Sequence, residues 1–284
     1  MSATAGYGRG ARSARPIERR SRSLALAGLA GISVFLLGLP VLVLVVRAFV
    51  GDSIGSAATA AVLDALRLSL ITTAISLVVT VCLGTPLAFL LARRRFRGIS
   101  VFETIVDLPI VLPPSVAGLA LLLVFGRRGV LGEPLSAAGV EIAFTTAAVV
   151  VAQVFVAAPF FIRSARAGIA SVDRDLEDAA RVDGASERQV ARFVTLPLAA
   201  PALAAGLVMC WARALGEFGA TIMFAGNLEG RTRTMPLAVY AEFQGGSLDR
   251  SIAAATILVV AAFGVLLAVR TLRWGQVLDQ RAGA

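Results

Sequence analysis

Apolar residues along this chain gather into six long runs separated by short polar connections. The runs cover residues 24–50, 68–92, 105–125, 142–162, 198–225 and 251–269. A helix needs about 20 such residues to cross the ~30 Å hydrocarbon core of a bilayer. The second, fourth and sixth runs carry no charge, the third only Asp107, and the fifth only Arg213 and Glu217. Backbone polar groups in lipid must pair internally, which leaves helices or a closed barrel. Barrel strands would alternate over ~10 residues, whereas these runs are continuous. The pattern therefore predicts an all-α polytopic membrane protein with six transmembrane helices.

Composition agrees and adds a direction. Of the 284 residues, 57% are hydrophobic and 16% charged, with a mean hydropathy of +0.83. A soluble domain carries nearer ~25% charged residues. The net charge is +9, and all 27 basic residues are arginine. Nineteen of these arginines lie in the N-terminal tail, in the connections after the second and fourth runs, and in the C-terminal tail. Seven lie on the opposite side, and Arg213 falls inside the fifth run. The positive-inside rule then places both termini in the cytoplasm. The basic excess is topological, and no nucleic-acid partner is expected. Residues 1–23, rich in Arg, Ser, Ala and Gly, read as a disordered basic cytoplasmic tail. The run at 24–50 is too long for the 7–15-residue core of a cleavable signal and reads as a retained first helix. Residues 271–284 read as a second cytoplasmic tail.

There is no histidine, so histidine-based catalysis and histidine-ligated metal are excluded. Cys82 and Cys210 both sit in apolar runs and are expected to be small buried packing residues. No nucleophile–base constellation, metal cluster or phosphate-binding G-x-x-x-x-G-K-[ST] loop is present, nor any lysine to complete one. Neither a catalytic nor a metal site is expected.

The connection at 163–197 is the most informative polar segment. Ile169, Val172, Leu176, Ala179 and Ala180 recur at helical spacing, predicting a short amphipathic helix. Asp173, Asp175 and Glu177 crowd its first turns, where acids complement the helix dipole. Gly184 ends it, and Ser186 followed by Gln189 has the spacing of a capping box that opens a second helix. Pro197 marks entry into the membrane. Such a helix–turn–helix either lies on lipid as an interfacial pair or forms a docking knob for a cytoplasmic partner.

The same segment resembles a known family. Glu177-Asp178-Ala179-Ala180, Asp183-Gly184-Ala185, Phe193 and Leu196-Pro197 are similar to the EAA loop of importer-type ABC permeases. The one departure is Asp178, where the family usually has alanine. The resemblance spans roughly residues 66–270, with the first helix an addition, and implies a type I ABC importer permease fold. It also implies that Glu177, Ala179, Ala180, Asp183, Gly184, Ala185, Leu196 and Pro197 couple this chain to a separate ATPase. ATP and Mg would then sit on that partner, with no cofactor on this chain. A single knob per chain implies a permease homodimer with two ATPase copies, in the cell membrane of a prokaryote.

The C-terminal half narrows the resemblance. Arg213-Ala214-Leu215-Gly216-Glu217-Phe218-Gly219-Ala220-Thr221, then Asn227, Gly230 and Thr232 to Tyr240, are similar to molybdate permeases, as is Leu108 to Gly118. This implies import of molybdate or tungstate delivered by an extracellular or periplasmic binding protein. Sulfate or thiosulfate import is the alternative, and a self-contained secondary anion transporter a more distant one. The candidate path or gate residues are Pro113, Ser115, Arg213, Gly216, Glu217, Gly219 and Thr221. Arg213 and Glu217, four apart on one helix face, form either a self-neutralised pair that locks the helix or part of a gate. Ionised Glu217 would repel a dianion, and Gly216 and Gly219 permit either close packing or a bend. Pro109, Pro113 and Pro114 predict a kink or break in the third helix, lining a path or merely buried. No arginine cluster lies at mid-membrane, which suggests low-affinity passage.

Overall fold

A computed structural model describes the backbone of residues 16–50, 60–94 and 96–282, and the side chains of residues 26–50, 60–94 and 96–267. Residues 1–15, most of the expected basic tail, lie outside the described residues. Among the described residues the regular elements are all helical. In chain order they are α1 (Pro16–Val50), α2 (Ala60–Arg93), α3 (Ile99–Val111), α4 (Pro114–Phe125), α5 (Gly132–Ala137) and α6 (Thr146–Ser171). There follow α7 (Arg174–Val182), α8 (Glu187–Val190), a π turn (Ala191–Thr195), α9 (Leu196–Leu215), α10 (Gly219–Phe224), α11 (Met235–Gln244) and α12 (Leu248–Ala282). Helix α1 starts at Pro16, inside the segment expected to be disordered, and α12 continues to Ala282 through the expected C-terminal tail.

Among the described residues, five helices are long and apolar enough to span a membrane, and α3 with α4 makes a sixth span if the bent pair is taken as one. That pair is bent by 118°. Leu112 and Pro113, each preceding a proline, are extended, with ψ of 133° and 135°. A residue before proline is driven out of the α region, so the double proline forces the break. Pro109 sits within α3 without breaking it. The fifth predicted helix, 198–225, is also two pieces: α9 ends at Leu215, and α10 begins after the non-helical residues 216–218.

The centre is a trio of α2, α6 and α9, whose core includes Ala88, Leu91, Phe161, Ala165, Ile169, Ala199, Cys210 and Ala214. Lipid tails supply no hydrophobic driving force between helices, so small residues that permit close approach hold them. A Cβ on Gly206 would lie 2.7 Å from Ser164 Cβ, and Ser164 Oγ donates to the Ala202 carbonyl at 2.7 Å. Gln153 of α6 bridges the trio: its Oε1 accepts from Ser76 Oγ at 2.9 Å, while its Nε2 donates to Thr73 Oγ1 and the Ala214 carbonyl. Every polar end of this buried amide is thereby paired within the bundle.

A second core joins α4, α6 and α10 through Ala117, Leu121, Val149, Val156, Ala220 and Phe224. A third joins α2, α11 and α12 through Val62, Ala65, Met235, Ala238 and Ala254. Helix α1 leans on α12 and is otherwise exposed within the single chain. Of the two cysteines, Cys210 is buried as expected, whereas Cys82 is exposed on α2.

Candidate functional site

Helix α7, the heart of the EAA-like loop, buries a single carboxylate and leaves apolar side chains exposed. Asp173 caps its start, accepting from Asp175 N at 3.1 Å. Ile169 and Val172, expected on this helix, belong instead to α6 and its C-cap. The end is a Schellman turn: Gly184 N donates to the Arg181 carbonyl and Ala185 N to the Ala180 carbonyl, both at 3.0 Å. Gly184 has φ of +90°, a left-handed conformation that costs a side-chain-bearing residue about 1–2 kcal/mol. Gln189 then reaches back to Ser186, its Oε1 accepting from Ser186 N and Oγ at 2.8 Å.

Arg174, Glu177, Asp178 and Arg181 share one face of α7 and line a cavity of about 610 Å³ against the end of α2. Leu176, Ala179 and Asp183 lie on the opposite face, with Val182 beside them, and all four are exposed. Leu176 is 51% and Val182 87% accessible. An isolated surface helix turns its apolar stripe to the core and its charges to water. Here the one buried side chain is a carboxylate, Glu177, while Leu176, Ala179 and Val182 face out beside the exposed Asp183.

The inward acid is Glu177, only 4% exposed. Its Oε1 accepts from Arg93 Nη2 at 2.7 Å and from Thr195 Oγ1 at 2.6 Å. Arg93 Nη2 also donates to the Val172 carbonyl at 3.2 Å. Nearer the surface, Arg181 pairs with Glu187 at 2.8 Å and Asp178 at 2.6 Å, and these carboxylates hold its guanidinium above its ordinary range. Asp178, the departure from the family pattern, is thus an ion-pair partner of Arg181. Ala180 and Ala185 are half-buried beneath the turn; Leu196 is half-buried and Pro197 exposed at the start of α9. The second loop helix does not stop at the membrane but continues through the π turn into α9, giving one span from Glu187 to Leu215. Pro197 has no N–H for the Phe193 carbonyl, and Leu196 N donates to the Ala191 carbonyl, five residues back.

The path candidates converge where the two broken spans meet. A Cβ on Gly219 would lie 2.5 Å from Pro114 Cβ, and one on Gly118 2.6 Å from the Ala220 carbonyl oxygen. The starts of α4 and α10 therefore abut, placing Pro113 and Ser115 beside the Gly219–Thr221 segment. Pro113 and Ser115 are exposed, while Thr221 is buried and its hydroxyl has no hydrogen-bond partner. Gly219 serves close packing, whereas Gly216 is exposed, ends α9 and has open space around it apart from the Ala212 carbonyl at 3.5 Å.

Glu217 is 1% exposed and lies in the break itself, so the Arg213 pair is not the within-helix pair the spacing suggested. Arg213 Nη1 nevertheless lies 2.6 Å from Glu217 Oε2, without the geometry of a directed hydrogen bond. Glu217 Oε1 accepts from Ala220 N at 2.7 Å and so caps α10. Alongside, Phe218 stacks edge-on with Tyr240 at 5.0 Å, at an apolar cavity of about 540 Å³.

Sequence reasoning missed Arg93 and Thr195, partners of Glu177 that lie 84 and 18 positions away. It also missed α11, although Thr234 before Met235-Pro236 is a legible helix start, with proline in the first turn.

Comparison with known proteins follows the same outline. Residues 84–282 match the family described as binding-protein-dependent transport system inner membrane component. The chain is 46% identical over 205 residues to the molybdenum transport system permease protein ModB of Mycobacterium tuberculosis, covering 72% of this chain and 77% of that protein. It is 42% identical over 204 residues to the probable transport system permease protein NifC of Clostridium pasteurianum, covering 72% and 71%. The fold matches a chain of a bacterial alginate ABC transporter, crystallised in complex with an alginate pentasaccharide-bound periplasmic protein. The TM-score there is 0.71 at 22% identity, over 88% of this chain and 93% of that one.

Proposed function

The chain belongs to the family of binding-protein-dependent transport system inner membrane components, a multi-pass protein of the cell membrane, and from that premise we propose that it is the permease subunit of an ATP-driven molybdate importer. The relatives named for molybdenum transport support the substrate, with tungstate accepted by the same chemistry. The observation that carries the coupling role is the exposed apolar side of α7. Exposed Leu176, Ala179 and Val182 leave apolar surface at the end of a rigid, capped turn, as a partner's groove requires. The EAA-like sequence of the knob supports an ATPase as that partner, and this chain has no phosphate-binding loop of its own. ATP and Mg reside there.

The side of the membrane that holds the knob, with both tails and the connection after α2, carries nineteen of the 27 arginines, which supports its cytoplasmic placement with both termini. One knob per chain and two ATPases per cycle give a permease homodimer about a two-fold axis. On the opposite side the pair receives oxyanion from a soluble binding protein. The abutting starts of α4 and α10 line the path. The positive end of α4 favours an anion there, and Arg213 offsets the charge of Glu217 that would repel it.

Reconstitution into liposomes with and without the ATPase tests the proposal. Molybdate uptake that requires ATP, the ATPase and the binding protein is the expected result. Uptake by this chain alone, driven by an ion gradient, overturns it.

A further inference from the structure

Resemblance to the EAA loop makes Glu177 a candidate for touching the ATPase, yet its carboxylate is turned away from the exposed face of α7. One oxygen, Oε1, gathers two donors at 2.7 and 2.6 Å. Arg93 is the last residue of α2, and Thr195 closes the π turn that leads into α9. Arg93 also grips the Val172 carbonyl at the α6–α7 junction. The arginine side chain is 17% exposed and the glutamate 5%, so the pair is shielded from solvent and from screening salt. A π turn holds its backbone in an i to i−5 register that sits beside the ordinary i to i−4 one, so it is a natural place for a helix to yield. The nearest other acceptor for Thr195 Oγ1 is the Val190 carbonyl at 3.5 Å, one helical turn back.

We propose that Arg93 and Thr195, through Glu177, form a positioning clamp that makes the α7 knob move as one body with the end of α2 and the start of α9. Glu177 acts within this chain, and the docking contacts belong to the opposite face. The inference rests on the coupling role proposed above. Its consequence is that loosening the clamp leaves the ATPase attached and hydrolysing while less substrate moves per ATP.

The test uses the full complex in liposomes, with Thr195→Val, Thr195→Ser and Glu177→Gln in the permease. ATPase stoichiometry, ATP hydrolysis, molybdate uptake and backbone amide exchange over residues 174–185 are measured together. Thr195→Val is expected to retain the ATPase and hydrolysis but to lower uptake per ATP about tenfold, the scale of a lost hydrogen bond to a charged group. Thr195→Ser, which restores the donor, should recover the wild-type ratio, a rescue that a merely structural role for the threonine methyl would not give. Glu177→Gln keeps the shape and is expected to act like Thr195→Val, which keeps the question answerable if the valine variant misfolds. Amide exchange over the knob should rise about tenfold in Thr195→Val whether or not the complex transports. Unchanged exchange overturns the clamp itself, whereas failure of the wild-type complex to import with ATP overturns only the importer reading. Loss of the ATPase from Glu177→Gln, with Thr195→Val unaffected, would make Glu177 a docking residue and overturn the proposal.

Discussion

Among the described residues, two arginine–glutamate pairs hold a buried carboxylate, and they do different work. Arg93 and Glu177 are 84 positions apart and join separate elements through directed bonds, with Thr195 as a third member. Arg213 and Glu217 are four apart, and Glu217 spends its one directed bond on the backbone of α10. The first pair fixes tertiary geometry between a surface knob and the bundle. The second stabilises a local interruption in a spanning helix and leaves Oε2 without a directed donor. Burial of a charge is costly unless it is both paired and hydrogen-bonded. By that measure the knob is the rigid end of the molecule and the break the more adaptable one.

The contrast can be broken by mutation. Glu177→Leu leaves the Arg93 charge buried alone and should cost about 3–5 kcal/mol in thermal or denaturant unfolding in detergent. Adding Arg93→Met should recover much of that loss, because no charge is then stranded; strictly additive losses would show that the two residues do not form a unit. Arg213→Ala should cost less, about 1–3 kcal/mol, since Arg213 is partly exposed and Ala220 N still satisfies Glu217. A larger cost there than at Glu177 would reverse the ranking of the two regions. Gly184→Ala comes next, at about 1–2 kcal/mol, from forcing a Cβ into the left-handed turn. Molybdate uptake should fall in that variant further than its stability does, as the turn sets the orientation of the knob.

The spans and the knob differ equally in how far the sequence revealed them. Uninterrupted apolar runs announced the membrane segments, and Gly184, Ser186 and Gln189 announced the turn, because their signals are local. The breaks were half visible. Pro113-Pro114 forecast the first; at the second, Gly216 and Gly219 allowed a bend, but nothing local showed that Glu217 caps α10 or that Gly219 must fit against Pro114. Least legible was the orientation of Glu177. Periodicity gave α7 an apolar and a charged face, and the usual reading turns the apolar face inward. The direction was set instead by Arg93, far away in sequence, which draws Glu177 toward the bundle. Helix α1 takes in part of the segment expected to be disordered, because an arginine- and serine-rich composition does not by itself prevent a helix.

The account turns on the exposed side of α7. Leu176→Asp should change stability by no more than about 0.5 kcal/mol, because the side chain touches solvent in the free chain. The decisive measurement is the amount of ATPase that copurifies with this variant from membranes expressing both subunits, relative to the unaltered chain. The account predicts that the ATPase is lost while the permease melts at the same temperature. Full retention of the ATPase would contradict it, since the face turned outward would then not be the one that docks.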